Sequence, residues 1–302
     1  MKRGFKRTKE DYIIDGVVYT ILILVMIVTI YPFYYSFIIS LNNGIDASRG
    51  GIFLWPRVFS WDNYAAVFSN EQLIKAYGVT ITRTLVGTVC SVTFTALVAY
   101  SLAHKDLMFK NVYFLILIVA MYFSGGLIPY FILIKKLHLM NTFAVYIIPD
   151  LLSVFNVIIM MTFFRELPEA LKESARIDGA SDMRTFFKIM VPISAPVFAT
   201  IALFNGVHHW NAWFDSAYFV TDKNLKTVSF QLMELINKAN LTAVTGTNVA
   251  DAQRSATYAA QTFTAESIRM ATMITVVVPI ICVYPFLQKY FVKGIMVGSV
   301  KG

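Results

Sequence analysis

Long apolar runs alternate with short charged segments along most of this chain, and several exceed the ~18 residues that a bilayer-crossing helix needs. Hydrocarbon offers the backbone no hydrogen-bond partners, so each run is predicted to be a helix. Six are expected. Val17–Ile39 carries no charge, Thr84–Ala103 starts a turn or two before that boundary, and Asn111–Ile134 is bounded by Lys110 and Lys135. Roughly Thr142–Phe164 holds one ionisable residue, Asp150; about Ile193–Phe214 carries His208 and His209 near its far end; Met270–Leu287 is uncharged. A membrane barrel would show alternating segments of about ten residues instead of continuous runs. The first run is too long for a signal-peptide core and no small-residue cleavage site follows it, so it is expected to stay as an anchor.

Lys and Arg in the connecting segments orient these spans. With the N-terminus inside, 15 of the 26 basic residues fall on inside segments, led by Lys2, Arg3, Lys6, Arg7 and Lys9, and the outside segments are much longer. Both termini are therefore expected in the cytosol. The organisation predicted is a cytoplasmic tail over 1–16, a first span over 17–41, a core transmembrane domain over 72–290 and a cytoplasmic tail over 291–302. Within the core lie an inside loop, 165–192, and a polar outside loop, 216–269, rich in Thr, Asn and Ala. The outside segment Asn42–Tyr77 carries Trp55-Pro56 and Trp61, residues suited to a loop at the headgroup level.

Composition agrees with this pattern. Of 302 residues 57% are hydrophobic and only 15% charged, against about 25% charged in a soluble domain, and the mean hydropathy is +0.62. With 25 Phe and 16 Tyr the chain has too much apolar mass to stay disordered. The net charge of +8 would suggest nucleic acid in a soluble protein, but its concentration at span ends makes it an orientation signal, and no nucleic-acid partner is expected. Cys90 and Cys282 both sit in apolar runs, which argues against a disulfide framework.

Motifs for covalent chemistry are missing. The chain has no GxxxxGK[ST], so it holds no phosphate in the P-loop manner, and no HExxH, CxxC or GxSxG. His208 and His209 are adjacent and point to different helix faces, which disfavours one metal shared by both. No metal site, no cofactor and no catalytic residue are expected. Active transport would then draw its energy from another polypeptide.

The inside loop is the informative segment. Over Glu166–Ser181, Pro168 suits the first turn of a helix and Gly179 its C-terminal stop. Leu167, Leu171 and Ala175 make one apolar stripe, and Glu169, Lys172, Glu173 and Arg176 surround it. Ser181 caps a second helix with Met183, Phe186, Phe187 and Met190 on one face, ahead of Pro192. A small amphipathic helix of this kind suits a lipid surface and a protein groove equally.

The run Glu173-Ser174-Ala175-Arg176-Ile177-Asp178-Gly179-Ala180, followed by Ile189-Met190-Val191-Pro192, resembles the EAA loop of ABC importer permeases, with Ser174 where Ala is usual. Further pieces are similar to the sugar-uptake branch typified by the maltose permease. These are Trp55-Pro56 with Trp61-Asp62-Asn63-Tyr64, Trp210-Asn211 at the end of the fifth span, and Tyr290–Gly294 with the terminal Gly298–Gly302. The Tyr31-to-Gly44 and Tyr130-to-Pro149 wording looks closest to importers of complex or pectin-like saccharides.

The resemblance implies an all-α integral membrane protein with the type I ABC importer permease fold: six transmembrane helices and a cytoplasmic coupling helix. It implies a multi-pass subunit of the cell membrane that pairs with a second, homologous permease. Two cytoplasmic ATPase subunits would bind the ATP and Mg, and an extracytoplasmic sugar-binding protein would deliver an oligosaccharide. Glu169, Glu173, Ala175, Asp178, Gly179, Ala180 and Pro192 would couple to the ATPase, and Lys293, Gly294 and Lys301 of the tail would lie against it. Aromatic faces stack on sugar rings and amides, imidazoles and carboxylates satisfy hydroxyls. On that chemistry Asp150, Asn205, His209, Trp210, Asn211, Trp213 and Asp215 are candidates for the substrate path. A secondary transporter or channel is the main competing reading, but a secondary transporter would call for paired intramembrane charges. Asp150 reads as alone there, with Arg83 and Arg269 only near span ends. A membrane-bound assembly protein that docks through the loop is a third reading, and an amino-acid or peptide importer is the alternative substrate class.

Overall fold

The computed structural model describes residues 9–245 and 264–299, and the named elements are helical. In chain order they are α1 (Lys9–Ser40), α2 (Asp62–Ser69), α3 (Glu71–Ala103), α4 (Lys110–Tyr122), α5 (Leu127–Lys136), α6 (Val154–Glu166), α7 (Ala170–Ile177), α8 (Ala195–Asn211), α9 (Val228–Thr245) and α10 (Ala265–Ser299), with shorter turns between. Among the described residues α1, α3 and α10 through Val283 are long and apolar enough to cross a membrane. The number rises to five if α4 with α5, and the 182–193 segment with α8 and the turn after it, each count as one bent span. Two compact units result. One is formed by the described parts of Met1–Ser69 and Leu235–Thr275, the other by those of Asn70–Glu234 and Val276–Gly302.

In the first unit α1 starts two turns ahead of the predicted span and exposes its apolar side chains over most of its length. Only near its end, at Ser36 and Ile38–Ser40, is it buried. The segment that follows is a folded loop. Asn43 caps the short helix Gly44–Ser48 by accepting from the Ile45 and Asp46 amides, and Arg57 closes the loop through Asp46 at 3.1 Å and the Gly50 carbonyl at 2.8 Å. The Tyr34 hydroxyl donates to the Leu54 carbonyl at 2.8 Å, tying the loop to α1. Asn63 is fully buried, and its amide donates to the carbonyls of Ser40 at 2.9 Å and Asn42 at 2.8 Å. The neighbouring Tyr64 hydroxyl lies 2.7 Å from Ser40 Oγ. This is the physical content of the Asn-Tyr pair noted in the sequence. Asn63→Leu leaves two carbonyls without that donor and is expected to cost about 1–3 kcal/mol, read as a lower unfolding midpoint of the purified protein in detergent.

In the second unit α3 is the central helix, with α6 and α8 packed along it. Asn70 caps α3 from outside, accepting from the Gln72 and Leu73 amides, so the helix begins more than three turns ahead of Thr84. The core between the three helices holds Ala96, Ala99, Met160, Phe164, Met190 and Ile201. Tyr100 lies inside it, with ring centroids 5.0 Å from Phe186 and 6.0 Å from Phe164. A second cluster joins Ile134, Val145, Tyr146, Phe219 and Val220.

Two predicted spans are interrupted, and a third is entered through a bend. Asn111–Ile134 is not one straight helix: α4 and α5 meet at 117°. Gly126 at the break has φ +81°, a left-handed conformation that glycine tolerates best, and Ser124 Oγ accepts from its amide at 3.2 Å. Over Thr142–Phe164 the chain forms a 3-10 turn, Phe143–Tyr146, then an irregular stretch through Pro149 and Asp150, and only then α6, capped by Ser153. The segment before α8 turns 84° into it around Ser194, between Pro192 and Pro196.

Candidate functional site

Two parts of the second unit gather the residues that the sequence singled out. The first is a polar cluster where α3, the Asp150 break, α8 and the turn after α8 meet. Arg83 on α3 is wholly buried, and its guanidinium pairs with Asp215 at 2.5 Å and Asp150 at 3.5 Å. It also donates to the Ala212 carbonyl at 3.0 Å and lies 4.6 Å from the centre of the Tyr146 ring. Asp150 is therefore not alone, as the sequence suggested: Arg83 reaches it from within the bundle, and His208 Nε2 lies 3.2 Å from its carboxylate. Helical rise explains the oversight, because α3 starts so far ahead of Thr84 that Arg83 stands in its middle.

The interrupted backbone makes a cavity of about 420 Å³ possible beside this cluster. Asp150, Ser153, Asn156, Asn205 and His208 line it with polar groups, and Phe155 and Phe204 add aromatic faces. The Asn156 amide approaches Asn205 Oδ1 at 3.5 Å, and the Asn205 amide is anchored on the Ile201 carbonyl at 3.1 Å. Of the candidates for a substrate path, Asp150 and Asn205 share this cavity. His209 turns away into the α3–α8 seam and is fully buried. Trp210 is buried and spends its Nε1–H on the Val276 carbonyl at 3.0 Å. Asp215 faces Arg83, whereas Asn211 and Trp213 are exposed. The stretch 216–234 of the loop predicted to lie outside is a folded extension of this unit. Ser216, Phe219, Val220, Thr227 and Val228 are buried, and the Val228 amide donates to Thr80 Oγ1 of α3 at 2.9 Å. Residues 246–263 of that loop lie outside the described residues.

The second part is α7 and its surroundings. The helix runs Ala170–Ile177, so Pro168, expected in its first turn, stands two residues ahead of it, with Glu169 between. It closes in a Schellman arrangement: the Ala180 amide donates to the Ala175 carbonyl at 2.9 Å and the Gly179 amide to the Arg176 carbonyl at 3.0 Å. Gly179 supplies the φ of +72° that this ending needs. Ala175 is buried against the bundle, whereas Glu173, Asp178 and Gly179 stand exposed. Ile177, which the sequence reading passed over, is 86% exposed at the tip. Glu169 pairs with Lys105, which holds its carboxyl below the ordinary value and the lysine above its own.

Ser181 caps the next turn, accepting from the Arg184 amide. The expected second helix contains a π turn over Phe186–Met190, so Phe186 and Met190 face the core while Met183 and Phe187 stay exposed. Pro192 sits in the last turn before the bend. Lys293 and Gly294 fall on the backbone of α10, and Lys301 lies outside the described residues.

Comparison with known proteins places this architecture. The family model described as "Binding-protein-dependent transport system inner membrane component" matches residues 8–297. Protein LplC of Bacillus subtilis (strain 168) is 37% identical over 275 residues, covering 91% of this chain and 90% of that protein. The polygalacturonan/rhamnogalacturonan transport system permease protein YtcP of the same organism is 31% identical over 293 residues, 97% of this chain and 100% of YtcP. Among solved structures, a chain of a bacterial ABC transporter involved in the import of the acidic polysaccharide alginate superposes with a TM-score of 0.86 at 26% identity. That match covers 95% of this chain and 99% of the other. With its apolar helices and a family match over nearly its whole length, this chain belongs to the inner membrane components of binding-protein-dependent transport systems.

Proposed function

We propose that the chain is one permease subunit of an ATP-driven importer for oligosaccharides, paired with a second, homologous permease. In this reading both termini are cytoplasmic, and the bent pairs each make one span. The Asp150 break with α6 makes the remaining one, for six. The names of YtcP and the alginate transporter favour complex saccharides within the class. ATP and Mg would be held by two partner ATPases, and an extracytoplasmic binding protein would bring the sugar.

The observation that carries the reading is α7: a capped helix with one buried contact residue, Ala175, and an exposed tip formed by Ile177, Asp178 and Gly179. Such a lever moves as one piece when a partner seats its tip. Phe155, Phe204 and the polar groups of the cavity beside Asp150 supply the chemical mix that sugar rings bind. Reconstitution tests this. Uptake of labelled oligosaccharide by vesicles holding the chain and its second permease should require copurified ATPase and ATP. Uptake that ran without an ATPase and followed an ion gradient would make the chain a secondary transporter instead.

A sharper test addresses the lever's end. Gly179→Val meets no neighbouring atom, since an added Cβ has nothing within 4 Å, so its effect is conformational only. Holding a side chain at φ +72° costs about 1–2 kcal/mol, enough to deplete the correctly ended helix about tenfold. Membrane abundance should stay at the wild-type level while ATP-driven uptake drops by that order. Wild-type uptake and coupling in this variant would remove α7 from the mechanism.

A further inference from the structure

A cleft of about 520 Å³ opens at the foot of α7, between the end of α3, the start of α4 and the end of α6. Five cations line it, Lys105, Lys110, Arg165, Lys172 and Arg176, against three carboxylates, Asp106, Glu169 and Glu173. Lys105 is matched by Glu169, and Arg176 lies 3.9 Å from Asp182. The other three cations form no ion pair among the described residues, and their direct contacts are neutral. Lys110 donates to the His104 carbonyl at 2.9 Å, Arg165 donates to the Leu102 carbonyl at 3.3 Å, and Lys172 sits 5.5 Å from the centre of the Tyr100 ring. Burial lowers the proton affinity of Lys172. Arg176, Lys105 and Lys110 lower it further, against the pull of Glu169. The cleft is thus a half-sheltered concentration of charge in which five cations face three carboxylates, a net excess of positive charge.

Its position beside α4 identifies the anion. Lys110 is the first residue of α4, and the helix leaves Val112, Leu115, Ile116 and Val119 exposed beyond it. A basic cleft therefore stands at the head of α4, and along its length α4 carries an apolar rail open to lipid. We propose that the cleft binds the phosphate of an anionic phospholipid of the cytoplasmic leaflet, with the acyl chains lying along α4. Lys110, Arg165 and Lys172 contact the phosphate, so the lipid ties α7 to α4 and α6 and braces the lever. Basic pockets at the cytoplasmic ends of spans suit such headgroups, and a free phosphate would leave the apolar rail unused. The inference rests on the orientation proposed above, but it needs neither an ATPase nor a sugar to be tested.

The experiment reconstitutes the full-length chain, with the subunits that copurify, into vesicles of phosphatidylcholine and phosphatidylglycerol in equal amounts. Lipid retained after extraction is then identified by native mass spectrometry. Wild type should keep phosphatidylglycerol over phosphatidylcholine about tenfold, K172Q should reduce that preference about fivefold, and K110Q/R165Q/K172Q should abolish it. K135Q/K136Q, on α5, should leave it unchanged, and inorganic phosphate should not displace the lipid. Equal retention of both lipids by wild type, or wild-type selectivity in K172Q or the triple variant, overturns the site. Displacement by inorganic phosphate overturns the lipid as its ligand. K172Q decides the matter if the triple variant fails to fold. Selectivity that appears while ATP-driven uptake does not would sustain the lipid site and count against the transport reading alone.

Discussion

Arg83→Met is expected to destabilise the protein by about 3–5 kcal/mol, because it leaves a buried carboxylate without its partner. The guanidinium is completely enclosed and serves three elements at once: Asp215 and the Ala212 carbonyl after α8, Asp150 in the irregular stretch before α6, and the Tyr146 ring. Met fills similar volume, so the loss is electrostatic and not a cavity. Asp150 keeps His208 at 3.2 Å, whereas Asp215 loses the ion pair it makes with Arg83. Removing both charges should therefore be less harmful than removing one, and Arg83→Met/Asp215→Leu should regain a large part of the lost stability. The measurement is the unfolding midpoint of the purified chain in detergent, for the two single variants and the double. A double variant no more stable than Arg83→Met would show that the pair does not act as a unit.

The sequence made the ends of elements more legible than their middles. Gly179 and Ser181 each have a local reason to stand where they do, and the left-handed end of α7 and the cap that follows lie where those residues put them, while α7 itself begins two residues after Pro168. Hydropathy was a poorer guide to continuity. A run of apolar residues satisfies a span template whether or not the backbone passes through it as one helix. The Ser124-Gly125-Gly126 and Pro149-Asp150 punctuation was present in the sequence but was averaged away. Partners distant in sequence were not legible at all. Arg83 and Asp215 are 132 residues apart, and no periodicity within either segment reports the other. The same holds for Trp210, a candidate for the substrate path, which the fold assigns to a hydrogen bond with Val276.

The break at Asp150 links these observations. A continuous helix over Thr142–Phe164 would satisfy its own backbone and leave no room for a polar recess. With the helix interrupted, Ser91 Oγ takes up the freed Asp150 carbonyl at 2.7 Å, and Ser153 caps α6 on the far side. Non-helical backbone at membrane depth is tolerated where it lines a cavity or is buried in protein. Both conditions hold here, so the break that hydropathy conceals is also what places Asp150, Ser153 and Asn156 around one cavity.

Gly87→Val is expected to be the most damaging small-to-large change in the α3–α8 seam. A Cβ built at Gly87 falls 2.6 Å from His209 Nε2, and within 2.8 Å of two further ring atoms, distances at which one side must move. The imidazole is fully buried and has no free direction in which to yield, so the helices must part or the ring must leave its position. Overpacking of this kind costs about 1–3 kcal/mol and occasionally more. In membrane bundles the seam itself depends on small residues that let backbones approach closely. The effect should be specific to this contact. Gly206→Ala places its Cβ 3.6 Å from Thr88 Oγ1, an ordinary contact, and should fold and transport normally. Trimming the obstacle provides the decisive control. Gly87→Val/His209→Ala should recover most of the unfolding midpoint lost by Gly87→Val, because the valine then occupies the space that the imidazole vacates. Equal loss in the single and double variants would mean that Gly87 is needed for its backbone alone, and that the close approach to His209 does not limit how the two helices pack.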